Sequence, residues 1–292
     1  MTEPWLLFAI SFAFFHSVVS ILDKILLKNK GIEPLSISTF RLGTNAVFAL
    51  IIASFLFDFS IPSSGILYNI FLLSIVFSAA VLFYFIPMKL GDVSQLIPFR
   101  EAITTFLSFV LAVILLSEVV SIFDLFGTLA IIVGSYILLT DGKIIIPKVS
   151  NALAFIAIDG ILLAVFWVFA KPVSLTLHPS LFNFYMYSFV SVILFMINSG
   201  VNYKNQLKTF RTVLNNKRVL SLSLGASLSA TIGTLSLFYG LTLGQAAEVL
   251  PITKILPVFV VLIGWLVLKE KSGIVRLIGS ILAIVGVYLI TI

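Results

Sequence analysis

The chain has 292 residues, of which 60% are apolar and only 10% charged, with a mean hydropathy of +1.20. So little charge cannot cover the surface of a water-soluble domain, and the composition points to an integral membrane protein. The net charge of +6 reads as basic loops beside lipid head groups rather than as a nucleic-acid site, and the lack of cysteine excludes disulfides, thiolate catalysis and cysteine-held metal clusters.

A transmembrane helix needs about 20 apolar residues. Apolar runs broken by short polar or Pro/Gly stretches predict spans at 4–27, 34–56, 66–88, 93–116, 121–140, 150–172, 180–199, 218–240, 245–268 and 273–292. The start, Met1-Thr2-Glu3-Pro4, lacks a basic n-region, so the first apolar segment is expected to be a retained span. Most links are short, such as Leu90-Gly91-Asp92 and Ser117-Glu118-Val119, and one polar loop is expected from Asn198 to Arg218. This leaves no room for a large soluble catalytic module.

Charge sorts by loop parity. Links after odd-numbered spans hold Lys28, Lys30, Lys89, Lys143, Lys148, Lys204, Lys208, Arg211, Lys217, Arg218, Lys269, Lys271 and Arg276. Links after even-numbered spans hold Asp58, Glu118 and Asp124, with Lys171 as their cation. The positive-inside rule then places odd links in the cytoplasm and both termini outside.

Two stretches, 84–136 and 239–288, repeat one pattern. Gly91 and Gly244 lie 153 positions apart, as do Pro98 and Pro251; Glu118/Glu270, Gly127/Gly279, Gly134/Gly286 and Tyr136/Tyr288 are spaced by 152. Five spans per copy is an odd number, so the second copy enters the membrane inverted. Inverted repeats build a midplane site that opens to either side by rocking one bundle against the other. The expected fold is therefore all-α: ten transmembrane helices as two inverted five-helix repeats, 1–143 and 144–292, around a central cavity.

The blocks beginning at Tyr84 and Tyr239, with Lys24, Arg41, Trp167 and Lys171, resemble the two EamA-type repeats of the drug/metabolite transporter superfamily. The resemblance implies a ten-helix basket whose cavity is lined by spans one to four and six to nine, with the fifth and tenth as scaffold. It also implies export of amino acids or related metabolites. The family is described with cytoplasmic termini, the reverse of the charge count, so both orientations stay open.

Ionisable groups inside spans need a wet cavity or a partner. His16 lies midway along the first span. Arg41 and Asn45 form an i,i+4 polar face on the second. Arg100 and Glu101 follow Pro98, and at the equivalent place after Pro251 stands Lys254, so Glu101 and Lys254 are repeat-related positions of opposite charge. Asp159 sits in the sixth span with Trp167 two turns beyond, and Tyr84 and Tyr239 are repeat mates near span ends. These ten are the candidate cavity residues. For each, a structural role stands beside a substrate contact: an ion pair joining the halves, or a guanidinium holding a carboxylate. Asp23-Lys24 reads as interfacial, and the Gly127/Gly134 and Gly279/Gly286 pairs as close helix packing.

No Walker loop, GxSxG, HExxH or metal-spaced carboxylate cluster is present, so no cofactor, metal or catalytic residue is expected. The reading is a secondary transporter with a small-molecule substrate, possibly an amino acid. It is expected to act as a monomer in a bacterial or archaeal plasma membrane, with the bilayer as its other partner. The rivals are efflux of cationic drugs of the small-multidrug-resistance kind and a membrane-embedded lipid-modifying enzyme.

Overall fold

A computed structural model describes residues 3–27, 29, 31–56, 61–85, 93–140, 142–144, 151–268 and 274–292. Lys28, Lys30, Asp58, Lys89, Leu90, Gly91, Asp92, Lys148, Lys269, Glu270 and Lys271 lie outside them, as do the side chains of Lys24, Pro98 and Arg276. The described residues form eleven α-helices and a 3-10 turn, with no strand among them. In chain order these are α1 (Pro4–Leu27), α2 (Pro34–Leu56), α3 (Ser64–Phe85), α4 (Val93–Leu115), α5 (Ile122–Thr140) and α6 (Asn151–Thr176). Then come α7 (Pro179–Asn215), α8 (Lys217–Leu243), α9 (Ala246–Ile252), the turn Thr253–Ile255, α10 (Leu256–Leu268) and α11 (Ile274–Ile290).

Among the described residues, eight units are long and apolar enough to cross a membrane, counting α9, the turn and part of α10 as one (Ala246–Ile263). The apolar stretch of α11, Leu277–Ile290, is shorter. Helices are the expected solution, because each satisfies its own backbone hydrogen bonds where lipid offers none. Large apolar side chains such as Phe55, Ile114, Phe126 and Ile284 point outward. In water they would form a costly patch; in a bilayer they meet acyl chains.

Helix starts are capped from nearby sequence. Glu33 accepts the Ser36 amide at 2.7 Å ahead of α2. The Asn216 side chain accepts the Arg218 and Val219 amides at 3.1 and 3.2 Å at the start of α8. Pro179 opens α7 behind His178, where a missing N–H costs nothing.

The expected polar loop from Asn198 to Arg218 is instead helix. The 37-residue α7 runs to Asn215, and only Asn216 separates it from α8. The reason lies in which residues repeat. Gln206, Thr209 and Val213 are buried at helical spacing while Lys204, Lys208 and Arg211 are exposed, so the inner stripe is largely polar. That stripe grips the α1–α2 link. Thr209 Oγ1 donates to Gly31 O at 3.3 Å and accepts the Glu33 amide at 3.2 Å, and Phe210 meets Phe40 edge-on at 5.4 Å.

Helix pairing has a regular form. α1 packs on α8 as α6 packs on α3; α2 pairs with α7 and α5 with α11. Exchanging α1 with α6, α2 with α7, α3 with α8 and α5 with α11 leaves this scheme unchanged. α5 and α11 run antiparallel in backbone contact. A Cβ on Gly127 would fall 2.7 Å from Gly286 O, and one on Gly134 would fall 2.7 Å from Gly279 O.

Candidate functional site

The start of α4 is tethered to three other elements by side-chain charge. Arg100 Nε donates to Asp159 Oδ2 of α6 at 2.5 Å, and its Nη1 donates to Glu101 Oε1 at 2.5 Å. Lys254, in the 3-10 turn, donates to Glu101 Oε2 at 3.0 Å. The repeat-related pair Glu101 and Lys254 therefore meets directly. The Arg100 guanidinium also lies over the Tyr84 ring of α3, 4.9 Å from its centroid, a cation–π geometry. Thr104 steadies the α4–α6 contact by donating to Arg100 O and Gly160 O at 2.9 and 3.2 Å.

A second pair faces the first. Arg41 Nη1 on α2 donates to Asp23 Oδ1 on α1. Both pairs line one cavity of about 240 Å³, together with Ser38, Asn45, Phe77 and Tyr84. Asp23, read from sequence as interfacial, is thus a cavity residue. In the orientation that satisfies both its amide atoms, Asn45 donates to Arg41 O at 2.9 Å and Ser227 Oγ at 3.1 Å, tying α2 to α8. Three cations (Arg41, Arg100, Lys254) and three carboxylates (Asp23, Glu101, Asp159) balance. Two buried atoms in the cavity residues lack a hydrogen-bond partner among the described residues: the acceptor Asp159 Oδ1 and the donor Arg41 Nε. Buried atoms of this kind are rare enough to need a reason.

The backbone at Lys254 explains how that charge gets there. Pro251 and Pro257 flank the 3-10 turn between α9 and α10, and Ser135 Oγ of α5 donates to Lys254 O at 2.7 Å. A broken helix at membrane depth is tolerated where protein or a cavity receives its freed polar groups.

Other candidates lie elsewhere. His16 stacks on Phe12 at 3.9 Å, with Nδ1 3.3 Å from Phe12 O. Its ring fills the space left by Gly233 on α8, where a Cβ would come within 2.6 Å of Nδ1. Trp167 sits deeper than the cavity among Phe12, Phe77, Phe166 and Phe238. Tyr239 is at the opposite end of the bundle from its mate Tyr84, hydrogen-bonded to His178 Nε2 at 2.9 Å and stacked on Phe8. The sequence reading missed one further charged contact, between Glu118 and Lys171. Both residues carried a signal, Glu118 as a link carboxylate with a repeat mate in Glu270 and Lys171 as the one even-link cation.

A profile described as the EamA-like transporter family matches residues 3–140 and again residues 150–292. The chain belongs to the EamA-like transporter family. EamA proteins fall within the drug/metabolite transporter superfamily, and the chain is a multi-pass membrane transporter of small solutes. An uncharacterized protein of Methanocaldococcus jannaschii is 32% identical over 137 residues, 46% of this chain and 93% of that one, so it is about half as long. A protein known by crystal structure superposes over 100% of this EamA chain and 97% of its own with a TM-score of 0.82 at 11% identity, a likeness of fold.

Proposed function

We propose that this EamA protein is a secondary transporter that exports amino acids or related small metabolites by alternating access. The observation that carries the reading is the pair of arginine–carboxylate contacts sharing one 240 Å³ cavity. A zwitterion brings one charge of each sign. Its carboxylate suits the guanidinium fork of Arg41 or Arg100, and its ammonium suits Asp23 or Asp159. When it leaves, each arginine returns to its carboxylate, so no charge is stranded in a low-dielectric site. The spare acceptor Asp159 Oδ1 and spare donor Arg41 Nε are the complement of such a solute. A balanced site of this kind suits a zwitterion better than a lone cation.

The wider architecture of the reading is ten spans in two inverted five-helix repeats, 1–143 and 144–292. Support comes from the antiparallel contact of the repeat mates α5 and α11, the Glu101–Lys254 pair, and the exchange symmetry of the helix pairing. In such repeats the site lies between the halves, often at a discontinuous helix, and here the break is at Thr253–Ile255. One chain encloses the cavity, so the unit is a monomer in a bacterial or archaeal plasma membrane. The cavity lies at the end bearing the basic odd links, which the positive-inside rule places in the cytoplasm, as an exporter loading from inside requires.

Counterflow in proteoliposomes with a panel of labelled amino acids tests this. Exchange of one amino-acid class, abolished by Arg100→Ala, supports the reading. Exchange of cationic drugs with none of any amino acid would replace it with cation efflux.

A further inference from the structure

The end of the bundle opposite the cavity has its own charged cluster. Glu118, in the α4–α5 link, accepts Lys171 Nζ of α6 at 2.5 Å and the backbone amides of Ala246 and Ala247 at 2.8 Å each. Lys171 also donates to Gly244 O at 2.9 Å. Glu118 is nearly enclosed, its side chain 7% exposed. One carboxylate therefore joins three elements: the α4–α5 link, α6 and the first turn of α9. Gln245, which precedes α9, makes no side-chain cap of its own. The leading amides of α9 take their acceptor from the other half of the chain.

The surroundings are dry and tightly packed. Ala9, Ala170, Leu241, Ala246 and Ala247 are fully buried, and the Trp5 side chain stands 2.6 Å from where a Gly244 Cβ would be. Along α6, Lys171 lies twelve residues beyond Asp159, about 18 Å at the rise of an α-helix. The two clusters are nonetheless linked. The seven-residue α9 runs directly into the 3-10 turn that carries Lys254, which holds Glu101 in the cavity cluster.

We infer that Glu118 and Lys171 are positioning residues that bolt the start of α9 and hold this end of the bundle shut while the cavity end is accessible. The inference rests on the alternating-access reading above. For this end to open, α9 must move off Glu118, and two amides and one ammonium must leave their shared carboxylate together. Hydrogen bonds to charged groups are about twice as strong as neutral ones. The bolt therefore favours the state seen here, and weakening it shifts the population toward the other. Through α9, the same movement draws Lys254 from Glu101 and rearranges the cavity cluster as the far end opens.

The chain has no cysteine, so single cysteines report single positions. Ala9→Cys places a thiol in the packed end, and Ser38→Cys places one on the cavity wall. Maleimide labelling rates of purified protein are compared with and without Glu118→Gln, which keeps the shape and removes the charge. Labelling at Ala9→Cys is expected to rise about tenfold while labelling at Ser38→Cys falls. Lys171→Met should act in the same direction, and Lys171→Arg should keep the parent pattern. Unchanged rates at both positions overturn the inference. Faster labelling at both positions also overturns it, because that is general loosening rather than reciprocal exposure. No substrate is needed, so this result stands apart from the transport assay. Counterflow without a labelling change discards the bolt and keeps the carrier. A reciprocal labelling change without counterflow of any amino acid keeps the bolt and discards the substrate class.

Discussion

The two ends of the bundle use the same chemistry to opposite effect. At the cavity end, Arg41–Asp23, Arg100–Asp159, Arg100–Glu101 and Lys254–Glu101 are all contacts between side chains. At the far end, Glu118 binds one side chain and two backbone amides, and Lys171 reaches a backbone carbonyl. Side-chain pairs can take a new partner by rotating about single bonds, with no helix displaced. A carboxylate fastened to backbone releases only if a helix moves. The first arrangement suits exchange with a solute, and the second suits holding a conformation.

The hardest blow to that contrast is removal of one member of a buried pair. Arg100→Ala strands Asp159, which is 1% exposed, and is expected to abolish exchange and destabilise the protein by about 3–5 kcal/mol. Thermal melting in detergent with counterflow checks both. The double variant Arg100→Ala/Asp159→Ala should recover much of the melting temperature and none of the transport. Recovery of transport would show that the pair is structural. Next in size is Gly134→Val in the α5–α11 seam. A Cβ there lies 2.6 Å from the Ala283 amide nitrogen, so backbone must separate, at a cost of about 1–3 kcal/mol or more. Gly43→Ala, with nothing within 4 Å of the new atom, is the control and should melt within about 1 kcal/mol of the parent.

Tyr239→Phe removes one hydrogen bond to His178 at the far end and should cost about 1 kcal/mol in melting experiments with the exchange KM unchanged. A raised KM would bring Tyr239 back into the substrate path. The smallest effect concerns pH. His178, in the α6–α7 link, has its pKa lowered by burial, so the unfolded chain binds its proton first. Stability is full above the unfolded value near 6.5 and declines as pH falls toward the folded value. Melting from pH 8 to 5 should show a small drop that His178→Gln removes.

Much of this layout is legible in the sequence. The helix α2 fills the expected 34–56, and the fixed repeat spacing alone sets Glu101 against Lys254. Apolar length and repeat arithmetic survive folding because lipid imposes the first and two-fold pairing the second. The extension of α7 was hidden because its buried stripe begins with Gln206 and Thr209, which polarity alone assigns to a loop. Asp23 was hidden because its partner Arg41 is on another helix, with its angular position fixed by packing. Glu118 was readable as a charge in a link. Its acceptor role depends on where α9 begins in space, which residue spacing does not encode.

The glycine seam between α5 and α11 has a mechanical consequence. Gly127 faces Gly286 and Gly134 faces Gly279, two close approaches seven residues apart on each helix. A shift of either helix by one residue would push side chains into both dents at once. The joint is therefore indexed: it resists sliding along its length, because any shift must first separate the two helices. A joint of that kind keeps α5 and α11 in register through any movement of the helices around them.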